Sequence, residues 1–537
     1  MRSRWLTLLF ALAAAWLCWW ASHNPLPDGF QNEYLHVGNA YDLWAALQAL
    51  DVWHLRWYMY TGYWPWGFYA LPWPFLAITG PGRLGLLASN LVHLGVLLVA
   101  TRSLGRNLGA PLAPLLVLLC PGVFGGLVRF EPNLADIAWV AAGIAALVAS
   151  RGLRSRWHVV AWGACLGLGL MFDRLTVAFF LLPAVLPLLP GAGRRGWKNL
   201  AYAGGLALLL SGAYYREFFG RHTDELLGQA PVGEIDAVGQ LTVTGGVVPW
   251  LYYPLSLLDS QAGPVLGGLM LWGLGAAARE AWVARRSGLG SAQSVLLASV
   301  LVPVLFFTFI AKKQVFYTLP ILGPLAVLAA ARGRAAWVGV AAGLWAFAVL
   351  GTGAVPGRGV IVEWMPDRWV APRHTLAEPP SFESWPLDEA VAALPAEPAG
   401  GLAAGAAGPG QEGAAVLALS LDDRLFEGFL ALAIRERHPG AQVRGVITDP
   451  KGTYELLADQ QALLLATPSG GGWPDRAALN RELLADGYAI AELPPVAKAV
   501  AEAGVEFEET ARFDAGDIDL VVFHRVRRAD DGGDGGP

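Results

Sequence analysis

The sequence predicts a polytopic α-helical membrane protein of about eleven spans, followed by a small C-terminal α/β soluble domain. Three observations carry this. Of the 537 residues 55% are hydrophobic and 15% charged, where a soluble chain carries about 25% charged residues. The deficit is uneven: up to about residue 353 the chain is a series of Leu/Ala/Val/Trp-rich runs, and beyond it charge returns, mostly acidic. In that last part the apolar runs shorten to strand length and alternate with helical patterns. The net charge of −5 therefore averages two unlike parts, and nothing in it points to a nucleic-acid partner.

The spans are expected at 5–21, 84–102, 110–128, 134–150, 157–172, 175–190, 199–215, 264–284, 294–311, 314–331 and 335–355. The first could be a signal peptide with a small-residue site near Ala21-Ser22. Its length and its terminal Trp16, Trp19 and Trp20 favour an uncleaved helix anchored at the interface. Basic residues fall in every second loop: Arg2 and Arg4; Arg106; Arg151, Arg154 and Arg156; Arg194, Arg195 and Lys198; Arg285 and Arg286; Arg332 and Arg334. The positive-inside rule puts that side in the cytoplasm. The stretch 64–80 is apolar enough to tempt a further span, but Pro65, Pro72 and Pro74 spoil a regular helix. We read it as lying in the outer interface, which keeps the basic loops on one side. Cys18, Cys120 and Cys165 fit neither a disulfide framework nor a metal site and read as small buried hydrophobes.

The exported side then receives 22–83, 129–133, Asp173-Arg174, 216–263, Lys312-Lys313 and everything after about 356. In the first of these loops Leu43, Leu47 and Leu50 share a helical face. With the Trp and Tyr residues that follow, they suggest one or two helices flat on the membrane. Asp28, Glu33 and Asp42 stand beyond the end of the first span. A carboxylate there can accept a proton from an incoming hydroxyl, or it is an ordinary loop acid or helix cap. The second loop, Arg129-Phe130-Glu131-Pro132-Asn133 with Asp136 one turn on, is strongly polar for a turn between apolar helices, and such a turn needs protein or a water-filled cavity beside it. Asp173-Arg174 is either a self-paired turn or part of a site. Lys312 and Lys313, followed by Tyr317, either snorkel or hold a phosphate or pyrophosphate.

In order and spacing these features resemble the GT-C fold, integral-membrane glycosyltransferases that take sugars from polyprenyl-phosphate carriers. The resemblance covers about residues 5–350 and rests on the acidic exported loop, RFEPNLAD, GLGLMFDRLTVAFFLLP and KKQVFYTLPILGPLAVLAA. The last is similar to a segment of protein-mannosyltransferase and aminoarabinose-transferase relatives. These relatives carry an adjacent Asp-Glu pair in the first loop. Aligned on NEYLHV, Asn32-Glu33 takes its place with Glu33 as the acid; aligned on PDGFQ, the acid is Asp28 and Gly29 the departure. The resemblance implies inverting transfer of a hexosyl or pentosyl group to a lipid, glycan or protein acceptor. Glu33 or Asp28 would be the base, Lys312, Lys313, Arg129 or Arg174 would hold the departing phosphate, and Glu131 and Tyr317 would orient substrate. No cofactor or metal is expected beyond the lipid-linked sugar, in a bacterial inner membrane. A transporter or flippase of lipid-linked sugars, or a scaffold displaying the C-terminal domain, are the alternatives.

The domains expected are 1–355 in the membrane, a Pro/Gly/Ala-rich connector at 356–413, an α/β accessory domain at 414–527 and a disordered tail at 528–537. In the accessory domain AAVLALS, QVRGVIT, QALLLAT and DLVVFHRV read as strands. DRLFEGFLALAIRER, RAALNRELLADG and VAKAVAEAG read as helices, and the glycine run at 469–472 as a turn.

Overall fold

The computed structural model describes residues 4–23, 33–61, 64–80, 82–174, 176–228, 248–284, 292–309, 314–354, 392, 415–420, 442–445, 462–468, 506–514 and 518–526. The chain divides into two compact units, one of Met1–Pro25 with Asn39–Ser381, the other of Leu26–Gly38 with Phe382–Pro537.

The first unit is helical. α1 (Arg4–His23) is followed by α2 (Glu33–Gln48), whose residues up to Gly38 fall to the second unit, then α3 (Val52–Thr61), α4 (Trp66–Ala70), α5 (Trp73–Thr79), α6 (Arg83–Ala88) and α7 (Asn90–Asn107). Then come α8 (Ala113–Leu118), α9 (Pro121–Leu127), α10 (Asn133–Ala149), α11 (Arg156–Leu170) and α12 (Thr176–Val185). The long α13 (Gly193–Gly228), α14 (Val248–Ser256), α15 (Pro264–Ala284), α16 (Ala292–Phe309), α17 (Leu322–Ala330) and α18 (Ala335–Ala346) complete it.

Each expected span overlaps a helix or a broken pair among the described residues, and several breaks fall at prolines, though α6 and α7 part at Ser89 with no proline beside it. The run 110–128 is split into α8 and α9 around Cys120-Pro121, since a proline removes one backbone donor and crowds the preceding turn. The 3₁₀ segments Leu186–Gly191 and Val315–Ile321 contain Pro190 and Pro320. Stretch 64–80 is likewise no continuous helix: α4 and α5 part at Leu71-Pro72. By length and composition three helical stretches among the described residues can cross a membrane, Arg4–His23, Arg83–Asn107 and Ala292–Phe309, and shorter apolar helices accompany them. Outward apolar side chains such as Val99, Leu209 and Phe309, each more than 60% exposed, suit a lipid-facing surface. The protein is an integral membrane protein.

Two expectations need adjustment. Leu50 does not continue the face of Leu43 and Leu47, because α2 ends at Gln48 and Leu50 turns left-handed (φ +53°), leaving its side chain exposed. Asp51 then opens α3 by accepting from the His54 amide at 3.0 Å, an N-cap bond. Nor does the span at 199–215 end there, because α13 runs on to Gly228 over 36 residues. That is roughly 54 Å at about 1.5 Å per residue, well beyond a hydrocarbon layer of about 30 Å.

Polar contacts tie the turns together in pairs. Asn199 Nδ2 donates to the carbonyl of Leu153 at 2.8 Å, Arg156 lies over the Tyr202 ring, and Arg332 pairs with Glu280 at 2.9 Å. Trp16 Nε1 donates to the Gly351 carbonyl at 3.0 Å, and Gln261 Nε2 donates to Val315 O and to Thr318 Oγ1. The basic turns at 151–156 and 194–202 thus lie side by side.

The second unit contains a five-stranded sheet of order β2-β1-β3-β5-β4, with β1 Ala415–Ser420, β2 Gln442–Gly445, β3 Ala462–Pro468, β4 Glu506–Asp514 and β5 Ile518–Val526. β1 runs parallel to β2 and β3, while β5 pairs antiparallel with β3 and β4. The four strands expected from sequence are present, and β4 is an addition. The expected helices, the glycine run, nearly all of the connector and the tail lie outside the described residues.

Candidate functional site

The site is built where the turn at 129–133 meets the stretch 64–80. α7 begins with Asn90, fully buried, whose Nδ2 donates to the carbonyls of Gly126, Leu127 and Arg129 at 3.3, 3.1 and 2.8 Å. These are the end of α9 and the start of RFEPN, so one amide satisfies carbonyls that a helix end leaves open. Arg83 adds a bond to the Val128 carbonyl at 3.3 Å and lies over the Trp20 ring at 4.9 Å. Held in this way, Arg129 is buried at 6% exposure. Glu131 is half-buried and accepts from Asn133 Nδ2 at 2.6 Å.

From the first loop α4 lies against this turn. Phe68 stacks on Phe130 with centroids 4.6 Å apart, and Tyr69 OH accepts from Asn39 Nδ2 of α2 at 3.3 Å. Gly67 touches the third element: a Cβ there would come within 2.6 Å of the Met171 carbonyl. The turn Met171–Arg174 is pinned from α13 by Tyr215, whose hydroxyl donates toward the carbonyls of Leu170, Asp173 and Arg174. Asp173 Oδ1 accepts from the Arg174 amide at 2.6 Å, while the Arg174 guanidinium lies 4.1 Å over the Trp64 ring. The turn is therefore closed through its backbone, and the arginine is held by an aromatic face.

Beneath these loops the helix interior stays polar. His93 is fully buried with neither ring nitrogen hydrogen-bonded, its ring edge-on to Phe172 at 4.9 Å. Asn90 Oδ1, Asp136 Oδ1 and Trp139 Nε1 are likewise buried without partners, and the Asp136 carboxyl faces that of Asp173. Buried polar atoms normally find partners, so this group marks the interior as made for polar contacts. A second group surrounds Tyr317, which stacks on Phe307 at 5.3 Å. There Phe307 also meets Tyr253, and Gln261 and Asp259 lie in the π-helical turn Leu257–Gln261, a distortion common at functional sites.

Of the residues picked from sequence, Arg129 and Glu131 flank Phe130, which stacks on α4, Arg174 lies over Trp64 just before α4, and Tyr317 belongs to the second group. Glu33 is buried at 1% exposure in the first turn of α2, within the second unit. An acid in that turn is favoured by the helix dipole. Asp28, Gly29, Asn32, Lys312 and Lys313 lie outside the described residues. Tyr215, Trp64, Phe68, Asn90 and His93 are not among the residues picked from sequence, although Asn90 and His93 are polar positions inside the expected span 84–102.

No family model matches the sequence, and no curated protein does. Solved structures do match. The crystal structure of ArnT from Cupriavidus metallidurans bound to undecaprenyl phosphate aligns with a TM-score of 0.55 at 14% identity, covering 97% of this chain and 98% of that one. The same protein in the apo state gives 0.54 at 14% identity over 96% and 97%. An oligosaccharyltransferase from Archaeoglobus fulgidus gives 0.45 at 12% identity over 86% of this chain and 69% of the other. At such identity the likeness to the two ArnT structures establishes the fold alone, and at that level the GT-C resemblance read from the sequence motifs is borne out.

Proposed function

We propose, on the premise of that shared fold, that the chain is a membrane glycosyltransferase taking a sugar from a polyprenyl-phosphate carrier and delivering it to an acceptor on the exported side. The observation that carries this reading is a fold matched along 97% of the chain to a protein crystallised with undecaprenyl phosphate. The chain's own geometry supports it. The orphaned buried polar atoms of Asn90, His93 and Asp136 offer contacts that sugar hydroxyls would use. The basic residues in every second loop of the sequence support an N-terminus in the cytoplasm and a C-terminal unit outside it, and in this reading the membrane is a bacterial inner membrane.

The reaction assigned is inverting. A first-loop acid, Glu33 or Asp28, takes the proton of the acceptor hydroxyl. The hydroxyl oxygen attacks the anomeric carbon, and the bond from that carbon to the phosphate oxygen breaks. The electron pair leaves with polyprenyl phosphate, whose extra charge Arg129, Arg174, Lys312 and Lys313 would stabilise. Glu131 and Tyr317 would orient the sugar or the acceptor. No metal or cofactor is invoked. Residues 1–355 form the transferase body in this reading, with 356–413 as connector and 414–527 as an accessory domain that helps present the acceptor.

Transfer from a labelled polyprenyl-phosphate sugar tests the base. With one of Glu33→Gln or Asp28→Asn, turnover should fall by about two to four orders of magnitude. Wild-type turnover in both variants would sink the assignment.

A further inference from the structure

The far end of α7 carries a second feature that the transferase reading does not use. Asn90 sits at the loop end, and Asn107 lies 17 residues on, about 26 Å away at ~1.5 Å per residue. That approaches the thickness of a hydrocarbon layer, about 30 Å, so the two ends of α7 reach opposite headgroup regions. At the far end a cleft opens between α1, α7 and α8, lined by Trp5, Leu9, Arg102, Arg106, Pro114 and Leu115. Arg102 and Arg106 are one turn apart on α7 and so share a face. Their planar forks suit a phosphate bidentately. The remaining lining is apolar, and Trp5 is half exposed at the start of α1, where an interfacial tryptophan would stand.

The cleft encloses ≈ 50 Å³, room for about four waters and so for a phosphate group, but not for acyl chains. Leu8 and Leu12 continue outward along α1, 47% and 58% exposed, and give such chains an apolar track. Charge and shape together commit the site to one occupant. We infer that this cleft binds the phosphate headgroup of an anionic glycerophospholipid, in the membrane leaflet opposite the candidate catalytic loops. Basic pockets between membrane helices recognise anionic headgroups in this way.

Native mass spectrometry of the purified full-length protein tests it, with phosphatidylglycerol and phosphatidylcholine offered together. Wild-type protein should retain phosphatidylglycerol preferentially, and Arg102→Gln with Arg106→Gln should weaken its retention by roughly ten- to thirtyfold, at about 1 kcal/mol per arginine. Equal retention of the two lipids by wild type would overturn the inference without any variant. So would undiminished preference in the double variant, or displacement of the lipid by inorganic phosphate, which would make a free anion the occupant. A thermal unfolding midpoint matched to wild type shows that the double variant is folded. The transfer assay is independent of this result, so failure here leaves the transferase reading intact, and the converse holds.

Discussion

Asn90 donates to three carbonyls at the end of α9 and in the loop beyond, and no apolar side chain can replace it. Asn90→Ala should lower stability by about 1–3 kcal/mol, the cost of stranding buried carbonyls, read as a drop in the thermal unfolding midpoint. His93 is the opposite case. Both its nitrogens are buried without a partner, so His93→Leu should leave the midpoint unchanged or raise it, while sugar transfer falls if the polar interior serves substrate. A large loss of stability would show instead that the imidazole is structural. These two residues were legible as polar positions in an apolar span. Tyr215 was not: it is simply the last residue of the expected span 199–215, and only the folded chain brings its hydroxyl to the turn 41 residues away.

At the scale of elements, α11 and α13 approach through small residues. A Cβ on Gly163 would lie 2.3 Å from the Ala203 carbonyl oxygen, and one on Gly167 2.9 Å from Ala207 Cα. Small residues four apart on facing helices are how membrane helices bring backbones together. Gly163→Ala must therefore separate the pair and should cost roughly 1–3 kcal/mol. Gly205→Ala, on the same α13 with open space around it, should be neutral or gain up to about 1 kcal/mol in helix propensity. Thermal unfolding of the two variants in detergent makes the comparison. The helices themselves were readable as apolar runs, and the break at Cys120-Pro121 from its proline, but not the one at Ser89 between α6 and α7. β4 was missed because the bulge between Glu509 and Ala511 shifts its alternation out of register. The exit of Leu50 from the α2 face was hidden because its helical spacing continues past the point where the backbone turns.

Across the whole molecule, basic turns that are far apart in the sequence meet, as Leu153 with Asn199 and Glu280 with Arg332, while the turn at 129–133 packs on α4 through Phe130 and Phe68. The fold match spans nearly all of the chain, whereas the base is argued from residue patterns in the first loop, where a departure at Asn32 or Gly29 obscures the acidic pair. The most direct measurement incubates proteoliposomes holding the wild-type protein with a labelled polyprenyl-phosphate sugar and an envelope extract as the source of acceptor, and follows the lipid by mass spectrometry. A transferase releases free polyprenyl phosphate in step with label appearing on the acceptor. Label that crosses the bilayer still attached to its intact lipid, with no polyprenyl phosphate released, would contradict it.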